Sequence, residues 1–118
     1  MTNECLFEGN IGSDIILRHT KDSCRSVLNM ILFIESNYKS KKNVSSDYVI
    51  KKRITKIPLV AWYKKAEAIS EQFSKGDKVR VKGSLRTRLI KKDGATYPTF
   101  EIVNDDVVLL ARRNFNQT

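Results

Sequence analysis

The sequence predicts an all-β barrel of five strands with one helix between the third and the fourth. Three observations carry that expectation. Val79, Val81 and Leu85 alternate with Lys78, Arg80, Lys82, Arg86 and Arg88, the period of a strand with one apolar and one cationic face. Asp93-Gly94 lies between two such stretches and is a residue pair favoured in two-residue hairpin turns. Ala66, Ile69 and Phe73 recur at helical spacing, and Gly76 supplies a stop.

The first strand is expected from about Glu4 to Gly9. Gly9-Asn10-Ile11-Gly12 then makes a turn or bulge before extension resumes through Arg18. Lys21-Asp22-Ser23 reads as a turn. Val27 to Ile34 is apolar on both faces, so the second strand is either covered on both sides or set in a subunit interface. Asn37 to Ser46 is polar and basic and reads as a mobile hairpin loop.

The third strand falls within Tyr48 to Trp62. Pro58 cannot donate to a ladder, so that part is at an edge or a bulge. The helix covers about Lys64 to Ser74, the fourth strand follows it, and the last strand runs from about Tyr97 to Leu110. This order is that of an OB-fold, a small five-stranded Greek-key barrel. An SH3-like barrel would not usually carry a helix at that point.

At 118 residues the chain is long enough for one core and too short for two. The expected domain spans 1–111, with 112–118 a short basic tail. The net charge of +9 points to a polyanionic partner. It is concentrated, because Lys39 to Lys56 holds seven cations and one anion, Asp47. Cys5 and Cys24 are too few for a disulfide framework or a metal site. Cys5 is expected to be a small buried side chain and Cys24 a free thiol.

No apolar run approaches the roughly 20 residues of a membrane span, and the N-terminus lacks a signal-peptide pattern. The expected compartment is a reducing cytoplasm. Nothing in the sequence argues for an enzyme or a cofactor: there is no phosphate-cradling glycine loop, no Cys or His metal spacing, and no nucleophile beside a base. His19 reads as a surface or turn residue, and Asp105-Asp106 as solvated carboxylates rather than a metal pair.

Several motifs, in order along residues 3–110, resemble the bacterial single-stranded DNA-binding proteins. They are Gly9-Asn10-Ile11-Gly12 with Asp14, Leu17-Arg18 with Thr20, Trp62, Ala66-Glu67, Lys75-Gly76-Asp77, Val79 to Arg88, Asp93-Gly94 and Glu101-Ile102-Val103. The resemblance implies sequence-tolerant coating of exposed single strands in replication, recombination or repair. Such binding joins a cationic track to aromatic platforms, because every base has a π-face.

Carried over from the family, Tyr38 takes the place of a stacking tryptophan at the end of the second strand. Trp62 takes the place of a stacking aromatic at the end of the third. Arg86 and Arg88 stand where basic residues approach the backbone. Lys39, Lys51, Lys52, Arg53 and Lys56 complete the expected track. The alternatives are a core tryptophan at 62, a loop tyrosine at 38 and a solvated strand face at 86 and 88.

Two departures stand out. Ile90 and Lys56 occupy places where the family carries aromatics. Phe33 stands where a small residue is usual, and is either a compensating platform or a buried or interface phenylalanine. Affinity is therefore expected to lean more on charge and less on stacking than in the family. The family usually continues into a Gly- and Gln-rich linker with an acidic tip that recruits repair and replication proteins. This sequence ends in Arg112-Arg113-Asn114-Phe115-Asn116-Gln117-Thr118, so tip-mediated recruitment is not expected; the chain is either truncated or a tailless relative.

The resemblance also implies a homotetramer. The sequence itself supports only some self-association, through the two-faced second strand and an available edge of the first. A dimeric accessory protein resembling primosomal replication protein N is one alternative, and an RNA-binding OB module is another. The lack of a run of closely spaced exposed aromatics argues against the latter.

Overall fold

The computed structural model describes residues 1–20, 25–41 and 48–113. The elements run β1 (Cys5–Ile11), β2 (Ile16–His19), β3 (Ser26–Lys41), β4 (Tyr48–Trp62), α1 (Tyr63–Gln72), β5 (Lys78–Lys92) and β6 (Ala95–Ala111). The expected first strand is thus two strands. The backbone leaves the ladder at Gly12, whose N–H donates to Ile31 O at 2.9 Å, and Ser13 Oγ accepts from Ile31 N at 2.7 Å. With β1 and β2 read as one interrupted strand, the five-strand order stands.

The sheet runs β1-β5-β6-β4-β3-β2, and an additional β1–β3 pairing closes it into a barrel. β1 makes the closure by changing partners. Cys5 to Asn10 pair with β5, then Asn10 and Ile11 pair with β3. Gly9 sits at that changeover, where a Cβ would lie 2.4 Å from Phe33 O. The Gly-Asn-Ile-Gly motif is therefore a place where one strand serves two neighbours, rather than a turn.

Inside the ring lie Leu28, Leu32, Leu59, Val79, Val81 and Ile102, each at most 5% exposed. Ala66 and Ile69 of α1, with Phe73 at its C-cap, seal one end of it. Their helical spacing was the signal for that helix, but Gly76 does not end it. The helix stops at Gln72, and Gly76, at φ 97°, belongs to the following turn. Asp77 organises that turn. Its fully buried carboxylate accepts from Ser74 N at 2.9 Å, Arg113 N at 2.9 Å and Arg112 Nη1 at 3.2 Å.

Three other expectations need correction. Leu85 continues the apolar face of β5 but is 43% exposed. β1 pairing ends at Cys5↔Gly83. Beyond it the Asn3 side chain still brackets the Leu85 main chain, and β4 still pairs with Ile102 and Val103 of β6. Among the described residues, β5 and β6 therefore run as a two-stranded ribbon only from Arg86↔Glu101 onward. A bulge on β6 between the partners of Lys82 and Gly83 marks the departure. Of the two readings of the second strand, cover on both sides within the chain does not hold: Leu28, Met30 and Leu32 are buried, while Val27 and Phe33 are half-buried and Ile31 is exposed. The subunit-interface reading concerns a second copy and stays open.

Asn37 to Lys41 are strand rather than loop, paired with β4 as far as Lys41↔Tyr48. The remainder of the expected loop, the Lys21-Asp22-Ser23 turn and Cys24 lie outside the described residues. Pro58 does stand at an edge, because β4 pairs with β6 only at Leu59 and Val60. Asp93 and Gly94, at φ 52° and 78°, make the two-residue type I′ turn expected of them.

The two ribbons extend the molecule. The radius of gyration is 17.7 Å, against about 13–14 Å for a compact domain of this length.

Candidate nucleic-acid interface

Register decides which side chains share a face. On the β3–β4 hairpin, Phe33 pairs with Lys56, Ile31 with Pro58, Asn29 with Val60 and Val27 with Trp62, all on the face turned away from the core. The parallel pair Val60↔Val103 carries that face onto β6, and Val103↔Ser84, Glu101↔Arg86 and Thr99↔Arg88 carry it onto β5. Phe33, Lys56, Trp62, Arg86 and Arg88 therefore lie on one continuous outer face. Lys39 and Lys52 extend it along the hairpin. Tyr38, Lys51 and Arg53 have the opposite parity and lie on the other face.

Local contacts divide the cations further. Lys52 Nζ lies 2.6 Å from Glu35 Oε1. That hydrogen bond, and the carboxylate charge behind it, hold the Lys52 pKa above its ordinary value. Arg53 Cζ stands 4.4 Å from the centroid of the Tyr38 ring, and Lys56 Nζ stands 5.4 Å from that of Phe33. Both distances lie within cation–π range. Lys39, Lys51, Arg86 and Arg88 are exposed.

The β5 alternation needs the same division. Arg80 donates to Glu8, and Lys82 Nζ lies 2.9 Å from Glu4 Oε1. Glu8 is on β1 and Glu4 is the residue just before it. The Lys82 pKa is raised chiefly by the hydrogen bond to Glu4. A cationic face inferred from alternation alone thus loses two of its five members to an ion-pair ladder, which leaves Lys78, Arg86 and Arg88.

Trp62 is half-buried at the N-cap of α1, and its ring centroid is 6.5 Å from that of Tyr63, tilted by 45°. Tyr63 is 55% exposed and holds φ at 57°, the left-handed region that non-glycine residues seldom adopt. A groove of about 500 Å³ opens beside them, lined also by Lys64, Lys65, Val103 and Asp105.

Two aromatics escaped the reading of the sequence. Tyr63 could have been noticed only as a doublet with Trp62. Tyr97 is 51% exposed and pairs directly with Ile90, so it puts an aromatic ring on the Arg86–Arg88 face directly across from Ile90. Finding it required the hairpin register, which Asp93-Gly94 sets.

Comparison with known proteins gives a consistent result. The model of the Single-strand binding protein family matches residues 2–110. A single-stranded DNA-binding protein of Caldanaerobacter subterraneus is 31% identical over 112 residues, covering 93% of this chain and 69% of the relative. Single-stranded DNA-binding protein 2 of Clostridium acetobutylicum is 27% identical over 109 residues, covering 92% and 76%. Among solved structures, the Plasmodium falciparum SSB complex with ssDNA superposes with a TM-score of 0.73 at 19% identity, covering 93% of this chain and 96% of that one, a likeness of fold. Barrel order, helix position and a match across nearly the whole chain lead to one conclusion: this chain belongs to the single-strand binding protein family.

Proposed function

We propose that this chain binds single-stranded DNA with little sequence preference, acting as a non-enzymatic coat on strands exposed in replication, recombination or repair. Family membership supports the reading. The carrying observation in the structure is the outer face that puts Trp62, Lys56, Arg86 and Arg88 in one register-linked array. Phosphates meet the cations and unstacked bases meet the rings, each stack contributing about 1–3 kcal/mol. Lys39 and Lys52 extend the track on the same face. Tyr38, Lys51 and Arg53 engage a strand that passes round the hairpin edge.

Trp62 is the chain's one tryptophan, so its emission reports on the site. Titration with poly(dT) should quench it to a saturable end point, while duplex DNA at the same salt should leave it nearly unchanged. Equal response to both, or none to poly(dT), would overturn the reading.

We further propose a homotetramer, with a dimer as the alternative outcome. Support comes from β1, whose Cys5–Gly9 segment pairs with β5 on one side and with no strand on the other among the described residues. Leu6, on that segment, is 64% exposed. Mass in solution by sedimentation equilibrium decides between four copies and two; a monomer would overturn both. The proposed compartment is the cytoplasm, where fractionation of the source cell should recover the protein.

A further inference from the structure

Phe33 is enclosed in a way that a base-stacking platform is not. A Cβ placed on Gly12 would lie 2.3 Å from Phe33 Cδ1 and 2.4 Å from Cγ, so the ring packs directly against the Gly12 main chain. Over the ring stands the Lys56 ammonium, 5.4 Å from the centroid and contributed by the residue paired with Phe33 across the ladder. The ring is half-buried, while Lys56 is exposed.

A base approaching this ring must first displace the cation. A phosphate has no such obstacle, because the ammonium can meet an anion while keeping its contact with the π-face. The ring also narrows the conformations of a long flexible side chain before any ligand arrives, which lowers the entropy lost on binding.

We propose that Phe33 is a positioning residue for Lys56. Its ring holds the ammonium on the outer face as a pre-ordered seat for a backbone phosphate, and does not stack a base. The proposal rests on the single-strand reading above. Arg53 over Tyr38 repeats the arrangement on the other face of the hairpin, so covering a ring with a cation is a recurrent use of aromatics in this ribbon.

The test is Trp62 quenching by poly(dT) across a salt series, for the parent, Phe33→Leu, Lys56→Ala, the double variant and Phe33→Tyr. Loss of an exposed cation–π contact should weaken low-salt binding about two- to fivefold in Phe33→Leu. Its salt slope should become shallower, in the direction of Lys56→Ala. The double variant should bind no more weakly than Lys56→Ala alone, and Phe33→Tyr should match the parent.

If Phe33→Leu costs the same factor in the Lys56→Ala background, with the slope unchanged, the ring is a stacking platform and the proposal fails. Parent-like affinity and slope in Phe33→Leu also overturn it. A readout on the parent chain guards against a variant that does not fold. The Lys56 side-chain methylene protons should show an upfield ring-current shift that persists when a dT oligonucleotide is bound, and its loss on binding overturns the proposal. Failure of the parent to bind poly(dT) would instead remove the single-strand reading itself.

Discussion

Glu8 faces Arg80 directly across the β1–β5 ladder, and its Oε1 accepts from both Nε and Nη2 of the guanidinium, at 2.8 and 2.6 Å. Arg86 lies three alternations further along the same strand face, beyond the reach of β1. The two arginines look equivalent in the sequence and should behave differently on substitution. Arg86→Ala should make the salt dependence shallower by up to about 0.7 in slope, the value for one phosphate contact on a single strand. Arg80→Ala should leave the slope unchanged and lower stability by about 0.2–1 kcal/mol, as for an exposed pair. Equal slopes in the two variants would show that the ladder does not withhold Arg80 from DNA.

The Lys52–Glu35 pair supplies a gain-of-affinity test. Glu35→Gln keeps the shape of the side chain and removes the charge that competes with phosphate for Lys52. Binding to poly(dT) at low salt should tighten, and the gain should fade as salt screens both interactions. Weaker binding in Glu35→Gln would mean that Glu35 holds Lys52 in place for the strand rather than away from it.

Tyr97 and Ile90 should trade roles. Tyr97→Ala is expected to cost about 1–3 kcal/mol of single-strand affinity with little change in salt slope, the mark of a lost stack rather than a lost charge. Ile90→Trp should strengthen binding, because it places a ring on the same face beside Arg88. Undiminished affinity in Tyr97→Ala, measured by filter binding at fixed salt, would rule that ring out as a platform.

Gly12→Ala should destabilise the fold. The added methyl would stand 2.3–2.5 Å from three atoms of the Phe33 ring, and overpacking of this kind costs about 1–3 kcal/mol. Urea unfolding should show a lower midpoint at an unchanged m-value, and Phe33→Leu in the same chain should recover part of the loss. A midpoint equal to the parent's would mean that the ring moves aside freely.

Local chemistry made much of the fold legible. Val79 and Val81 announced a core-facing strand, Asp93-Gly94 announced its turn, and Ala66, Ile69 and Phe73 announced the helix. Period-two alternation reports which residues share a face but not whether that face has a neighbour. Leu85 therefore resembles Val81 although the β1 seam ends between them. The two-faced apolar run Val27 to Ile34 likewise does not say whether its outer face is covered by this chain or by another, where the structure leaves that face half-buried to exposed. The candidate site was less legible for a related reason. Whether Lys52, Arg80 or Lys82 is available to a ligand depends on Glu35, Glu8 and Glu4, two of which lie over 70 residues away in sequence from the cation they meet. Tyr97 became visible only as the cross-strand partner of Ile90.

The partner change made by β1 also has a kinetic consequence. The β5–β6 ribbon closes through a two-residue turn and can form on the microsecond scale of hairpins. The β1–β5 seam joins residues such as Glu8 and Arg80, which lie far apart in the chain, and must wait for a large loop to close. Substitutions in the ribbon should therefore slow refolding, whereas substitutions along the seam should mainly hasten unfolding. On this expectation the barrel is assembled from its arms inward, and β1 is the last piece to take its place.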